Sequence, residues 1–221
     1  LGDVYKRQIL AMSLVGFCGL RLTVNFLYTW EGLEHRDWRY VELKDQSGVL
    51  WQPVNFFGIH LIPTLIVFLG CVPLYYALSV GSRDLNAIDG LAFFVGSLSI
   101  WLEYRADLEL HRFRDSRQSG EQALSTGLWS WCRHPNYLGE LGFWFSVLLF
   151  GYASTGDLGG WMTFGFFTML ALFVFISIPM IERKLTRDND MKIKSLSAVM
   201  ALARSIPLPD DVRGFPISAF L

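Results

Sequence analysis

From Gln46 to Ser82, and again from Leu158 to Ile181, the chain carries no Asp, Glu, Lys or Arg. Each run can hold the roughly 20 apolar residues that an α-helix needs to cross a bilayer. Three shorter segments read the same way: Ile9 to Tyr28, interrupted by Arg21; Ile88 to Leu102; and Tyr137 to Gly156, interrupted by Glu140. The pattern predicts an all-α fold, a polytopic transmembrane helix bundle of about five spans. Size argues against a soluble fold, because 221 residues cannot wrap five apolar helices in polar layers.

Composition agrees with this reading: 52% of residues are hydrophobic and the mean hydropathy is +0.34, too apolar for an ordinary soluble domain. The basic residues are not spread evenly. Arg36, Arg39 and Lys44 follow the first span, Arg105, Arg112, Arg114, Arg117 and Arg133 follow the third, and Arg183, Lys184, Arg187, Lys192, Lys194, Arg204 and Arg213 follow the fifth, whereas the opposite loops hold only Arg83. The positive-inside rule then puts the charged loops and the C-terminus in the cytoplasm. Lys6 and Arg7 break that pattern and the chain starts at Leu1. Residues 1–8 are therefore read as foreign or truncated sequence, 9–206 as one membrane-embedded domain and 207–221 as a tail.

A net charge of −1 lacks the basic footprint of a nucleic-acid partner. Cys18, Cys71 and Cys132 are isolated and are expected to be buried thiols. There is no G-x-G-x-x-G, no P-loop, no G-x-S-x-G and no Cys or His spacing suited to zinc, so a dinucleotide bound here is not held by a Rossmann domain.

The most informative stretch is Arg133-His134-Pro135-Asn136-Tyr137-Leu138-Gly139-Glu140. Pro135 suits the first turn of a helix and starts span four. Asn136 and Glu140 then lie one turn apart on one face, with Glu140 inside the membrane, where a carboxylate costs about 2.5–3.5 kcal/mol without compensation. Glu103, Asp107 and His111 sit at i, i+4 and i+8 with Arg114 beyond, so a helix continuing past span three puts them on one stripe. A solvated helix face is the plainer reading of that stripe. Glu182-Arg183-Lys184, after Pro179, forms a third group at the same membrane face, with interface anchoring as its plainer reading. Trp30 to Tyr40, with two Trp, a Tyr, His35 and five charges, reads as a surface lid or an interfacial aromatic belt. His60 reads as a hydrogen-bonded core histidine.

The Arg133 to Glu140 motif resembles the membrane superfamily of steroid 5-alpha reductases, sterol C14 and delta-7 reductases and isoprenylcysteine carboxyl methyltransferases. Gly32 to Tyr40 and Ile178 to Arg183 match its bacterial steroid-reductase-like branch in the same order, so the likeness spans roughly residues 21–183. It implies a cytoplasm-facing cofactor cavity among the last helices of a bacterial inner-membrane protein. In the reductases, the residues matching Asn136 and Glu140 hydrogen-bond the nicotinamide end of NADPH, and those matching Asp107 and Arg114 hold its ribose and phosphate. Glu103, Arg133, His134, Tyr137, Glu182 and Arg183 complete the expected cofactor set, and His35 and Tyr40 are the candidate proton donors. The methyltransferase branch shares the Arg-His-Pro and Tyr-x-Gly elements but binds S-adenosylmethionine. The tail departs from the pattern: Met191 to Leu196 has no Tyr where relatives close a Tyr-containing basic segment over the cofactor.

The expectation is thus an NADPH-dependent reductase of a carbon–carbon double bond in a lipophilic small molecule that enters from the bilayer lipids. An S-adenosylmethionine-dependent lipid methyltransferase is the enzymatic alternative. A non-enzymatic scaffold, with Glu140 paired to Arg21, is the other.

Overall fold

The uncharged stretch from Gln46 to Ser82 is helical as far as Val80, in one continuous helix that starts before it at Trp38. In the computed structural model, which describes residues 2–30, 32, 37–116 and 124–189, every regular element among the described residues is helical. Five long helices follow one another: α1 (Gly2–Tyr28), α2 (Trp38–Val80), α3 (Ala87–Ser116), α4 (Pro135–Thr155) and α5 (Phe164–Leu172 continuing through Ile178–Asn189). Among the described residues, four segments are long and apolar enough to cross a membrane: Tyr5–Tyr28, Trp38–Val80, Ala87–Ser116 and Gly160–Lys184. The chain is an integral membrane protein.

The expected fourth span forms a helix, α4, but does not join those four. Its 21 residues are long enough at about 1.5 Å each to cross the hydrocarbon layer. Asn136, Glu140 and several Gly, Ser and Thr lower its hydropathy. The structure supplies the reason: Leu141, Phe143, Ser146, Val147, Leu148, Phe150, Ala153 and Ser154 are all buried. A helix shielded by protein needs less apolar surface than one facing lipid.

The ends of α2 follow from local chemistry. Asp37 caps it, its carboxylate accepting from the Arg39 N–H at 2.9 Å, which satisfies one orphan donor of the first turn. Three prolines, Pro53, Pro63 and Pro73, fall inside the helix. Near two of them the backbone widens into π-turns, Val54–Leu61 and Tyr76–Val80, with Ile62 N–H reaching back five residues to the Phe57 carbonyl. Proline brings no N–H and crowds the preceding turn, and local π adjustment re-satisfies the freed groups. With 43 residues, α2 is roughly twice as long as the hydrocarbon layer is thick, so its polar first turns lie outside that layer.

The chain divides into two units, Leu1–Ile100 with Glu140–Leu170, and Trp101–Gly139 with Ala171–Leu221. The core of the first gathers Ala11, Leu14 and Cys18 of α1, Ala77 of α2, Ala92 of α3, and Phe143, Val147 and Phe150 of α4. Small residues let these helices approach closely, as membrane helices require when lipid is as apolar as Leu. A Cβ on Gly96 would lie 2.7 Å from both Leu14 Cδ2 and Ser146 Oγ, and one on Gly151 would lie 2.8 Å from Pro73 Cβ.

Arg7 is no solvated charge. Residues 2–8 are continuous with α1, and Arg7 is 0% exposed. Its Nε donates to Asp89 Oδ1 at 2.7 Å and its Nη2 to Asp89 Oδ2 at 2.9 Å, and the guanidinium also donates to the carbonyls of Arg83 (2.8 Å) and Asp84 (2.9 Å). Asp89 Oδ2 accepts a further bond from the Asn86 N–H. The pair is bidentate and its remaining donors are met by backbone, the condition under which a buried ion pair is tolerated.

Candidate functional site

In the second unit, the chain enters α4 through a loop anchored to α3. Glu109 accepts from the Leu128 N–H at 2.9 Å, and Trp129 Nε1 donates to the Ala106 carbonyl at 3.1 Å. Gly127 sits between them at φ +58°, and a Cβ there would lie 2.5 Å from Glu109 Oε2. Gly127→Ala is therefore expected to cost about 1–3 kcal/mol through strained φ and to loosen the loop. A lowered melting temperature in detergent checks this.

The loop delivers the motif to the start of α4, which begins at Pro135 as the sequence indicates, with the Leu138 N–H bonded to the His134 carbonyl at 3.1 Å. His134 is buried, and its Nε2 donates to Glu182 Oε1 at 2.8 Å. Arg133 Nη2 lies 3.0 Å from Glu182 Oε2. One carboxylate from α5 therefore joins the two residues before Pro135. The Tyr137 ring stacks on His134 with centroids 5.5 Å apart and packs against Phe173 at 4.7 Å.

At the next position, Asn136 Oδ1 is buried with no hydrogen-bond partner among the described residues. A buried acceptor left unmet costs on the order of 1–3 kcal/mol, so a donor from a bound molecule is the simplest account of its retention. The stripe on α3 is real, since α3 runs unbroken to Ser116. Along it Glu103 is buried, Asp107 and His111 are half-buried and Arg114 is exposed. Arg183 is exposed as well.

Glu140, one turn further along α4, belongs to the first unit. Its Oε1 accepts from Trp144 Nε1 at 2.8 Å. Its partner is thus an indole on its own helix and not the Arg21 guanidinium that the scaffold reading paired with it. Tyr40 is exposed on α2 and also lies in the first unit, and His60 is exposed where the sequence suggests a core residue. Cys18 and Cys132 are buried as expected, whereas Cys71 is exposed. Residue 31, residues 33–36 with His35 among them, Met191 to Leu196 and the 207–221 tail lie outside the described residues.

Sequence reasoning named Arg133, His134 and Glu182 as cofactor ligands, and the structure has them holding one another. It did not single out Glu109, Trp129 or Trp144. For Trp144 the signal was present, because it stands four residues after Glu140.

The family model described as "Protein of unknown function (DUF1295)" matches residues 2–195. An uncharacterized protein of the fission yeast Schizosaccharomyces pombe, C594.04c, is 26% identical over 194 residues, which cover 77% of this chain and 56% of the yeast protein. The chain thus spans little more than half the length of that relative. No solved structure matches it.

Proposed function

The chain belongs to the DUF1295 family, a steroid 5-alpha reductase-like family, and from that premise we propose a membrane-embedded, NADPH-dependent reductase of a carbon–carbon double bond in a lipophilic, steroid- or isoprenoid-like substrate. The observation that carries the reading is the buried Asn136 Oδ1, without a hydrogen-bond partner among the described residues, in the motif that carries the family likeness. The carboxamide of a nicotinamide offers the N–H that this acceptor lacks.

The residue types suit the chemistry of the dinucleotide. Asn136 binds the nicotinamide end, with Glu140 one turn along the same helix as a second acceptor. Asp107 is an acceptor for ribose hydroxyls, and the exposed guanidinium groups of Arg114 and Arg183 suit phosphate through paired hydrogen bonds. Arg133 is already neutralised by Glu182, so its part is to hold the motif in place with His134. NADPH, when bound, supplies the hydride, and the protein orients it and provides a proton from His35 or Tyr40. The charged loops and this site face the cytoplasm, in a bacterial inner membrane.

A ligand that binds only the folded state raises its stability. In detergent, NADPH is expected to raise the melting temperature, with S-adenosylmethionine giving no shift. Asn136→Ala should weaken NADPH binding about tenfold, corresponding to ~1.4 kcal/mol for one lost hydrogen bond. Full NADPH stabilisation in that variant, or stabilisation by S-adenosylmethionine alone, overturns the reading.

A further inference from the structure

Glu140 owes its place to a second aromatic residue and a distant glycine. Among the described residues its carboxylate accepts one hydrogen bond, the 2.8 Å contact from Trp144 Nε1. An indole N–H satisfies one oxygen lone pair but brings no charge. The carboxylate therefore keeps its other acceptor sites for a donor from outside the chain. An arginine partner would occupy both oxygens.

The indole is itself fixed. Its ring edge rests on Gly70 of α2, where an added Cβ would lie 2.6 Å from Trp144 Cζ3 and 2.8 Å from Cε3. Phe143 meets the ring edge-on, with centroids 5.6 Å apart. Gly70 in turn is pinned, because Gly165 of α5 packs its α-carbon directly on the Leu69 carbonyl and Gly70 nitrogen. Backbone contact thus sets the ring, the ring sets the N–H, and the N–H sets the carboxylate.

We propose that Trp144, seated on Gly70, is a positioning residue that aims the Glu140 carboxylate at the nicotinamide end of the bound dinucleotide. The identity of that ligand rests on the function proposed above, whereas the aiming of the carboxylate does not. Trp144→Phe keeps an aromatic ring on Gly70 and removes only the donor. Gly70→Ala keeps the donor and displaces the ring.

The test compares NADPH with adenosine 2′,5′-bisphosphate, which lacks the nicotinamide. Both variants are expected to bind NADPH about tenfold more weakly and the bisphosphate as well as the unmodified protein does. Trp144→Phe should add no further loss in a Glu140→Ala background. Equal weakening of both ligands, no weakening of either, or additive losses in the double variant would overturn the proposal.

A ligand-free measurement separates the two readings. The hydrophobic carbodiimide dicyclohexylcarbodiimide labels membrane carboxyl groups, and mass spectrometry gives the labelling rate at Glu140. A change of several-fold in both variants supports the aiming role even if the unmodified protein binds no NADPH, a result that would remove the reductase reading alone. An unchanged rate in both variants sinks the positioning role.

Discussion

Asp89→Ala is expected to lower the stability of the protein by about 3–5 kcal/mol, the usual result of removing one partner from a buried ion pair. Arg7 would remain fully buried, keeping its two carbonyl acceptors but losing the carboxylate that meets Nε and Nη2. The Asn86 N–H would lose its acceptor too. The companion Arg7→Met, Asp89→Leu double variant removes both charges and should recover most of that loss, since apolar replacement of a whole buried pair is often neutral. Thermal unfolding of the three proteins in one detergent decides the matter. A single variant as stable as the parent would mean that Arg7 is not held as described.

Gly165→Val should also be disruptive. The contact opposite Gly165 is backbone, the Leu69 carbonyl and Gly70 nitrogen, which cannot swing aside as a side chain would. The two helices must separate, and overpacking of a close-packed site costs about 1–3 kcal/mol, occasionally more. The effect should exceed that of Gly19→Val on α1, where an added Cβ meets nothing within 4 Å. Comparing the melting temperatures of the two variants isolates crowding from the change in residue type.

The helices were readable because lipid imposes a simple rule: an uncharged run long enough to cross must be helical. Gln46 to Ser82 and Leu158 to Ile181 obey it, and Pro135 marks the start of α4 through its missing N–H. The carboxylate stripe from Glu103 to His111 was readable for a similar reason, since spacing of four is a property of one helix. Pairings between segments were not. Arg7 and Asp89 are 82 positions apart; read alone, Arg7 breaks the pattern of basic loops and Asp89 weakens a span. Their bidentate fit exists only once α1 and α3 are side by side.

The same limit applies at the motif. Sequence placed Arg133, His134 and Glu182 at one membrane face, but could not say that the three would satisfy one another. Nor does hydropathy register shielding by protein, so α4 read as a span equal to the others although much of its surface is buried.

The widened turns of α2 have a consequence for how this protein can change length. Removing a residue from an ordinary α-helix rotates everything beyond it by about 100°, which here would swing Gly70 away from Trp144. The Val54–Leu61 stretch already carries slack, since a π-turn spans more residues than the α-turn it replaces. A shortened chain can contract there into regular α geometry and leave the rest of the rod in phase. Such a change would be absorbed in a stretch in which no residue is buried, while the close crossing at Gly70 keeps its register.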